Sequence, residues 1–167
     1  MTPVSELVVT DGDARLAFSF EDLMRYHGPG SPGGVAHAYK VLELGLPLLE
    51  PGAPPQRREI AVATAFGGPG ARDAFELVLR AVTGGRYDVD PALARAERGW
   101  TRERFVFRLS YRGRGLALGV REGFVTEEFL TLARAENPDA ARLGRLKREM
   151  AERVMARAAG DVYETLT

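Results

Sequence analysis

The sequence predicts an α+β fold, helices packed against a sheet, from three observations. Residues 33–49 are apolar over most of a helical circumference, which marks a central helix. In residues 59–66, Ile60, Val62, Thr64 and Phe66 alternate with Ala61, Ala63 and Ala65. Neither of those two faces carries charge, as an interior strand requires. Residues 105–111 and 116–120 alternate apolar with polar or small residues across Arg112-Gly113-Arg114-Gly115. That is the pattern of an antiparallel hairpin with one buried face.

The elements follow in order. Leu7-Val8-Val9 and Leu16-Ala17-Phe18 flank Asp11-Gly12-Asp13, a short hairpin with a glycine turn. Ser19 and Asp22 have the spacing of a capping box. They start a helix from Phe20 to about Tyr26 that buries Phe20, Leu23 and Met24 and stops at Gly28. In the central helix Val35, Tyr39, Leu42, Leu46 and Leu49 form one stripe, widened by Val41, Leu44 and Leu48. Ala36, Lys40 and Glu43 mark its wet side, and Pro47 is placed to kink or end it. Residues 51–58 are a proline-rich connector. After the strand, Gly67-Gly68-Pro69-Gly70 opens a helix from Ala71 to about Val82, with Ala71, Phe75, Val78 and Val82 inward. Thr83-Gly84-Gly85 ends it. Residues 86–101 offer no clear period beyond one or two helical turns in 91–98. Thr126 caps a short helix holding Phe129, Leu130 and Leu132. Asn137-Pro138-Asp139 starts the last helix, whose stripe is Leu143, Leu146, Met150 and Val154. It runs to about Ala159, Gly160 ends it, and residues 162–166 return as an edge strand.

A length of 167 residues, 45% hydrophobic and 28% charged, suits one domain over 1–167 with a sizeable core. No apolar run approaches the roughly 20 residues that span a bilayer. Residues 1–13 lack the basic and apolar blocks of a signal peptide. The expectation is a soluble, cytoplasmic protein with no membrane partner. The chain has no cysteine, which excludes disulfides and thiolate metal sites. A formal net charge of zero argues against a polyanion partner. Arg142, Arg145 and Arg148 are balanced by Glu149 and Glu152, a solvated or subunit-facing surface rather than a nucleic-acid face.

The stretch Tyr26-His27-Gly28-Pro29-Gly30-Ser31-Pro32-Gly33-Gly34-Val35-Ala36-His37 holds both histidines and sits between two helices. It resembles the signature of the FmdE family of formylmethanofuran dehydrogenase subunits, roughly His-Gly-His-x-Cys-Pro-Gly. His27, Gly28, Pro32 and Gly33 match; Pro29 and Ser31 stand where the family has histidine and cysteine. Asp73-Ala74 and Thr83-Gly84 match a second family segment, whose cysteine positions hold Gly70 and Gly85. The resemblance implies an FmdE-like α+β fold, helices on a mixed, largely antiparallel sheet, from about Ser19 onward. Residues 1–18 would be an N-terminal extension and 137–167 a C-terminal helix and tail. It also implies a homodimer and a site whose thiol chemistry is gone.

The two glycine-rich turns both open helices, where first-turn amides attract anions. His27, Ser31, His37 and Asp73 are expected to converge on one cavity between them. In the enzyme reading, the alternative to plain binding, His27 with Asp73 or His37 would do acid–base work there. Ser31, Gly33, His37, Thr64, Gly68, Gly70, Arg72 and Arg86 would contact a small anionic ligand. Without thiolates a tight zinc site is not expected, and no cofactor is assigned. An open site of His27, His37 and Asp73 is the metal alternative. Ser31 activated by His27 is the nucleophilic alternative. Against these stand plain structural readings: tight turns, a helix-ending histidine and a satisfied core histidine. Three functions stay open: a binder of a small anion, an enzyme centred on His27, and a structural or regulatory subunit.

Overall fold

Strands β1 (Leu7–Asp11) and β2 (Ala14–Phe18) pair antiparallel. Gly12 is the first of their two turn residues and has φ 62°, as a type II′ turn requires. The structure, a computed structural model, describes residues 5–167; residues 1–4 of the expected extension lie outside the described residues. What is described of that extension is no appendage, because Leu7 and Val9 are buried in the main core.

The capping box of helix α1 (Phe20–His27) forms as its spacing implies. The Ser19 hydroxyl accepts from the Asp22 N–H, and the Asp22 carboxylate accepts from the Ser19 N–H. Gly28 ends the helix at φ 88°. Helix α2 (Pro32–Leu49) begins with proline, whose missing N–H costs nothing in a first turn. Its apolar stripe is buried, but so are Ala36 and Lys40. Helix α5 (Ala140–Met155) packs across α2 on the side that starts at Gly33, so the expected wet face is largely covered. Pro47 lies inside the helix on its exposed side and does not end it.

The main sheet has the order β4-β3-β5-β6-β7. Its strands are β3 (Ile60–Thr64), β4 (Tyr87–Val89), β5 (Val106–Tyr111), β6 (Arg114–Val120) and β7 (Tyr163–Leu166). Only β3 and β4 run parallel, joined through helix α3 (Pro69–Leu79), as a parallel pair requires a crossover. The other pairs are antiparallel, so the sheet is mixed and the fold α+β. Ile60, Val62, Phe107, Leu109, Leu118 and Val120 point into the core. Strand β3 lies inside the sheet, yet Ala61 and Ala63 on its other face remain half-exposed. It lacks charge because its outer residues are alanine, not because both faces are packed.

Helix α3 stops at Leu79, short of Val82. Arg80 turns left-handed at φ 55°, and two arginines take up the last carbonyls. Arg57 Nε donates to Val78 O at 2.9 Å. Arg86 donates to Leu79 O at 2.9 Å and Arg80 O at 3.0 Å. Between β6 and β7 come helix α4 (Glu127–Ala133), then α5, then α6 (Ala159–Val162). The last long helix therefore ends at Met155, and Gly160 lies inside α6 instead of terminating α5. Among the described residues no helix is long and apolar enough to cross a membrane.

Candidate functional site

The first turns of α2 and α3 touch backbone to backbone. A Cβ on Gly70 would run into the Ser31 carbonyl and come within 2.9 Å of the Val35 nitrogen. One on Gly34 would lie 3.2 Å from the Ala71 nitrogen. Glycine here serves close approach rather than positive φ. Gly33 does the same for α5, since its Cβ would sit 2.7 Å from Met150 Sδ.

Beside these contacts is a cavity of about 370 Å³. Ser31, Gly33 and Gly34 bound one side, with Phe66 to Gly70 next to them. The rest of the lining consists of Trp100, Thr101, Arg104 and Phe105, residues of α4 with its C-cap Arg134, and Lys147 and Met150 of α5. The charged side chains of the lining are Arg104, Arg134 and Lys147, and no carboxylate joins them. Lys147 Nζ donates to Gly30 O at 3.3 Å and lies 3.5 Å from Ser31 Oγ. The Arg134 guanidinium lies over the Trp100 ring, 5.5 Å from its centroid. Among the described residues neither Arg104 nor Arg134 has an ion-pair partner.

The expected convergence is met only in part. Ser31, Gly33, Gly68 and Gly70 line the cavity; His27, His37, Thr64, Arg72, Asp73 and Arg86 do not. His27 and Asp73 do meet, with Nδ1 2.8 Å from Asp73 Oδ2. Nε2 of His27 accepts the Ser31 amide N–H at 3.0 Å. An amide can only donate, so Nε2 is unprotonated and Nδ1 carries the proton toward Asp73. The Asp73 contact on Nδ1 would suit an oriented base or ligand, but Nε2, the nitrogen such a role needs free, is taken by the Ser31 amide, and this weighs against the acid–base and metal readings of His27. The serine reading fails on the same geometry, because the amide and not the hydroxyl of Ser31 faces the imidazole. What the trio does is join the end of α1 to the first turns of α2 and α3.

His37 lies elsewhere. It is fully buried, with Nδ1 2.8 Å from the Tyr163 hydroxyl and no hydrogen-bond partner for Nε2. Its ring packs on Phe105 with centroids 4.9 Å apart. Burial lowers its pKa from 6.5 to about 3, while the Phe124 backbone opposes this without meeting hydrogen-bond geometry. Burial likewise raises the Tyr163 hydroxyl well above its ordinary value. The open metal site of His27, His37 and Asp73 is not assembled, and no cluster of three such ligands occurs among the described residues.

The remaining expected contacts have structural jobs or none. The Thr64 hydroxyl donates to Val106 O at 2.7 Å and accepts from the Phe66 N–H at 3.0 Å, closing the turn after β3. Arg86 holds the end of α3, and Arg72 is exposed outside the cavity. Sequence reasoning missed Trp100, Arg104, Arg134 and Lys147. Two weak signals were present: Trp100 is the one tryptophan of the chain, and Lys147 one of two lysines. No protein-family model and no curated protein matches this chain.

Proposed function

We propose that this chain binds a small organic anion in the cavity between its two glycine-rich turns. The observation that carries the reading is the charge of the lining: three cationic side chains and no carboxylate. First-turn amides of α2 and α3 have no intrahelical acceptor and add positive potential on the same side. A volume near 370 Å³ suits a small molecule rather than a macromolecular segment. An anion in such a partly apolar hollow gains more from each cation than it would in open water.

In this reading the His27–Asp73–Ser31 chain is a strut that keeps the first turn of α2 in place, and no proton transfer is assigned to it. The scaffold is proposed as FmdE-like, with thiol chemistry lost, on the motif residues around His27 and Asp73. The homodimer implied by that resemblance enters on the same footing, and light scattering decides it.

The test is calorimetric titration and thermal shift with benzoate, citrate and inorganic phosphate, beside benzyl alcohol and benzylamine. A ligand that binds only the native state raises the melting temperature. At least one anion is expected to bind and stabilise, and the neutral and cationic compounds are not. Equal stabilisation by benzylamine, or no response to any anion, would sink the reading.

A further inference from the structure

Resting on the anion reading, we propose that the ligand is an aromatic acid, one or two flat rings bearing a carboxylate. Four aromatic side chains line the cavity: Phe66, Trp100, Phe105 and Phe129. Phe66 and Phe105 are stacked on each other, centroids 4.3 Å apart and planes 26° apart. Phe107 packs edge-on to Phe66 at 6.4 Å, and His37 backs Phe105. These two rings are therefore a fixed wall, held from behind by buried neighbours.

Trp100 is the opposite case. It is 43% exposed although it is the bulkiest apolar side chain of the chain. Arg134 lies over its ring, which holds the indole in place without burying it. An indole kept half-open on the lining of a cavity is an unfilled stacking surface. A guanidinium with one face on a ring still has its edge N–H groups to offer, and these suit a planar carboxylate. Arg104 and Lys147 supply further charge on the same lining. The volume lies near the lower end of the roughly 300–1,000 Å³ usual for ligand sites, which fits one or two rings and not a nucleotide.

The experiment titrates the unmodified protein with four probes: 2-naphthoate, its saturated counterpart decahydro-2-naphthoate, inorganic phosphate and 2-naphthalenemethanol. Each ring–ring contact contributes roughly two- to tenfold in affinity. Naphthoate is expected to bind at least tenfold more tightly than the saturated acid of equal charge. Since Trp100 is the only tryptophan, its fluorescence should change with naphthoate at the calorimetric midpoint. Trp100→Leu, at a half-open position, should keep the melting temperature and cut the preference about fivefold. Equal affinity for the saturated acid, or binding of phosphate without naphthoate, overturns the aromatic class and leaves the anion reading standing. Naphthalenemethanol binding as tightly as naphthoate overturns both; no binding of any probe overturns the aromatic class, and the anion reading with it when benzoate and citrate also fail. A Trp100 signal that stays flat while naphthoate binds places it outside this cavity and overturns the assignment.

Discussion

The wall of the cavity made by residues 31–34 and 66–70 contains five glycines and no charged side chain. The wall made by Trp100, Thr101, Arg104, Phe105, α4 with its C-cap Arg134, and α5 contains all three cations and three of the four aromatic residues. The first wall is fixed by main chain against main chain: Gly70 on Ser31, Gly34 on Ala71. It sets a position and supplies little chemistry of its own. The second projects side chains from half-open or exposed positions such as Trp100, Arg104 and Arg134. These open side chains supply the chemistry and carry little of the fold, whereas Phe105, Leu130 and Met150 between them belong to the core. Substitutions should therefore separate, with stability lost at the glycines of the first wall and binding lost at the open side chains of the second.

The largest effect is expected from Gly70→Val. The obstacle to a new Cβ is the Ser31 carbonyl and the Val35 nitrogen, and backbone in a packed helix start has nowhere to move. Overpacking typically costs about 1–3 kcal/mol, and this site belongs at the upper end. Urea unfolding of wild type and variant measures it through the midpoint at unchanged slope. A variant as stable as wild type would mean that the two helix starts are not locked together.

The first wall was also the more legible in sequence, and for a local reason. A run of glycine and proline ahead of an apolar period announces a helix start whatever surrounds it. The capping box at Ser19 and Asp22, the stop at Gly28 and the hairpin of β5 and β6 were readable in the same way. The second wall had no such signal. Trp100 and Arg104 follow the short 3₁₀ turns Pro91–Leu93 and Ala96–Arg98, which show no hydrophobic period. Arg134 caps α4 and Lys147 lies in α5, and the apolar stripes of those helices reveal the core and say nothing of which polar residue borders a cavity. The histidines misled because residue type suggested chemistry while tertiary placement chose the partners. The Ser31 amide claims one nitrogen of His27, and Tyr163, 126 positions from His37, claims the other histidine.

An intermediate effect is expected from acid, through His37, the buried ring behind Phe105. Its native pKa is depressed to about 3, so the native state stays neutral where the unfolded chain, near 6.5, takes a proton. The unfolded state then binds more protons, and stability falls as pH drops from 6.5 toward 3; above 6.5 this group contributes no dependence. The slope approaches about 1.4 kcal/mol per pH unit at full effect. Between pH 6.5 and 5 the interval lies above the ordinary 4.5 of a glutamate such as Glu76, so carboxylates add little. Urea midpoints across that interval should decline for wild type and decline less for His37→Gln. Parallel curves would mean that His37 is protonated in the native state after all, and that Phe105 has a wetter backing than the burial of His37 indicates.

The smallest effect on stability, and the sharpest test of the contrast, is expected from Arg134→Ala. Arg134 is exposed and caps the end of α4 through its backbone N–H, which alanine keeps. It has no ion-pair partner among the described residues, so no buried charge is orphaned by its removal. What it loses is one exposed cation–π contact with Trp100, a class worth about 0.5–1 kcal/mol. Helix propensity offsets little, since arginine and alanine both favour the helix. The melting temperature should therefore move by no more than a few degrees, near the roughly ±0.5 kcal/mol of ordinary surface changes. Binding should respond far more, because one of three cations is gone and the indole it holds is freed. A charge-assisted contact contributes about 1.5–3 kcal/mol, so the dissociation constant for 2-naphthoate should rise at least tenfold. Calorimetry on the folded variant reads this directly. If Arg134→Ala destabilised the protein as much as Gly70→Val, the open side chains of the second wall would belong to the fold as the first wall does. If it left affinity unchanged, the charge that recognises the anion would have to be sought at Arg104 and Lys147 alone.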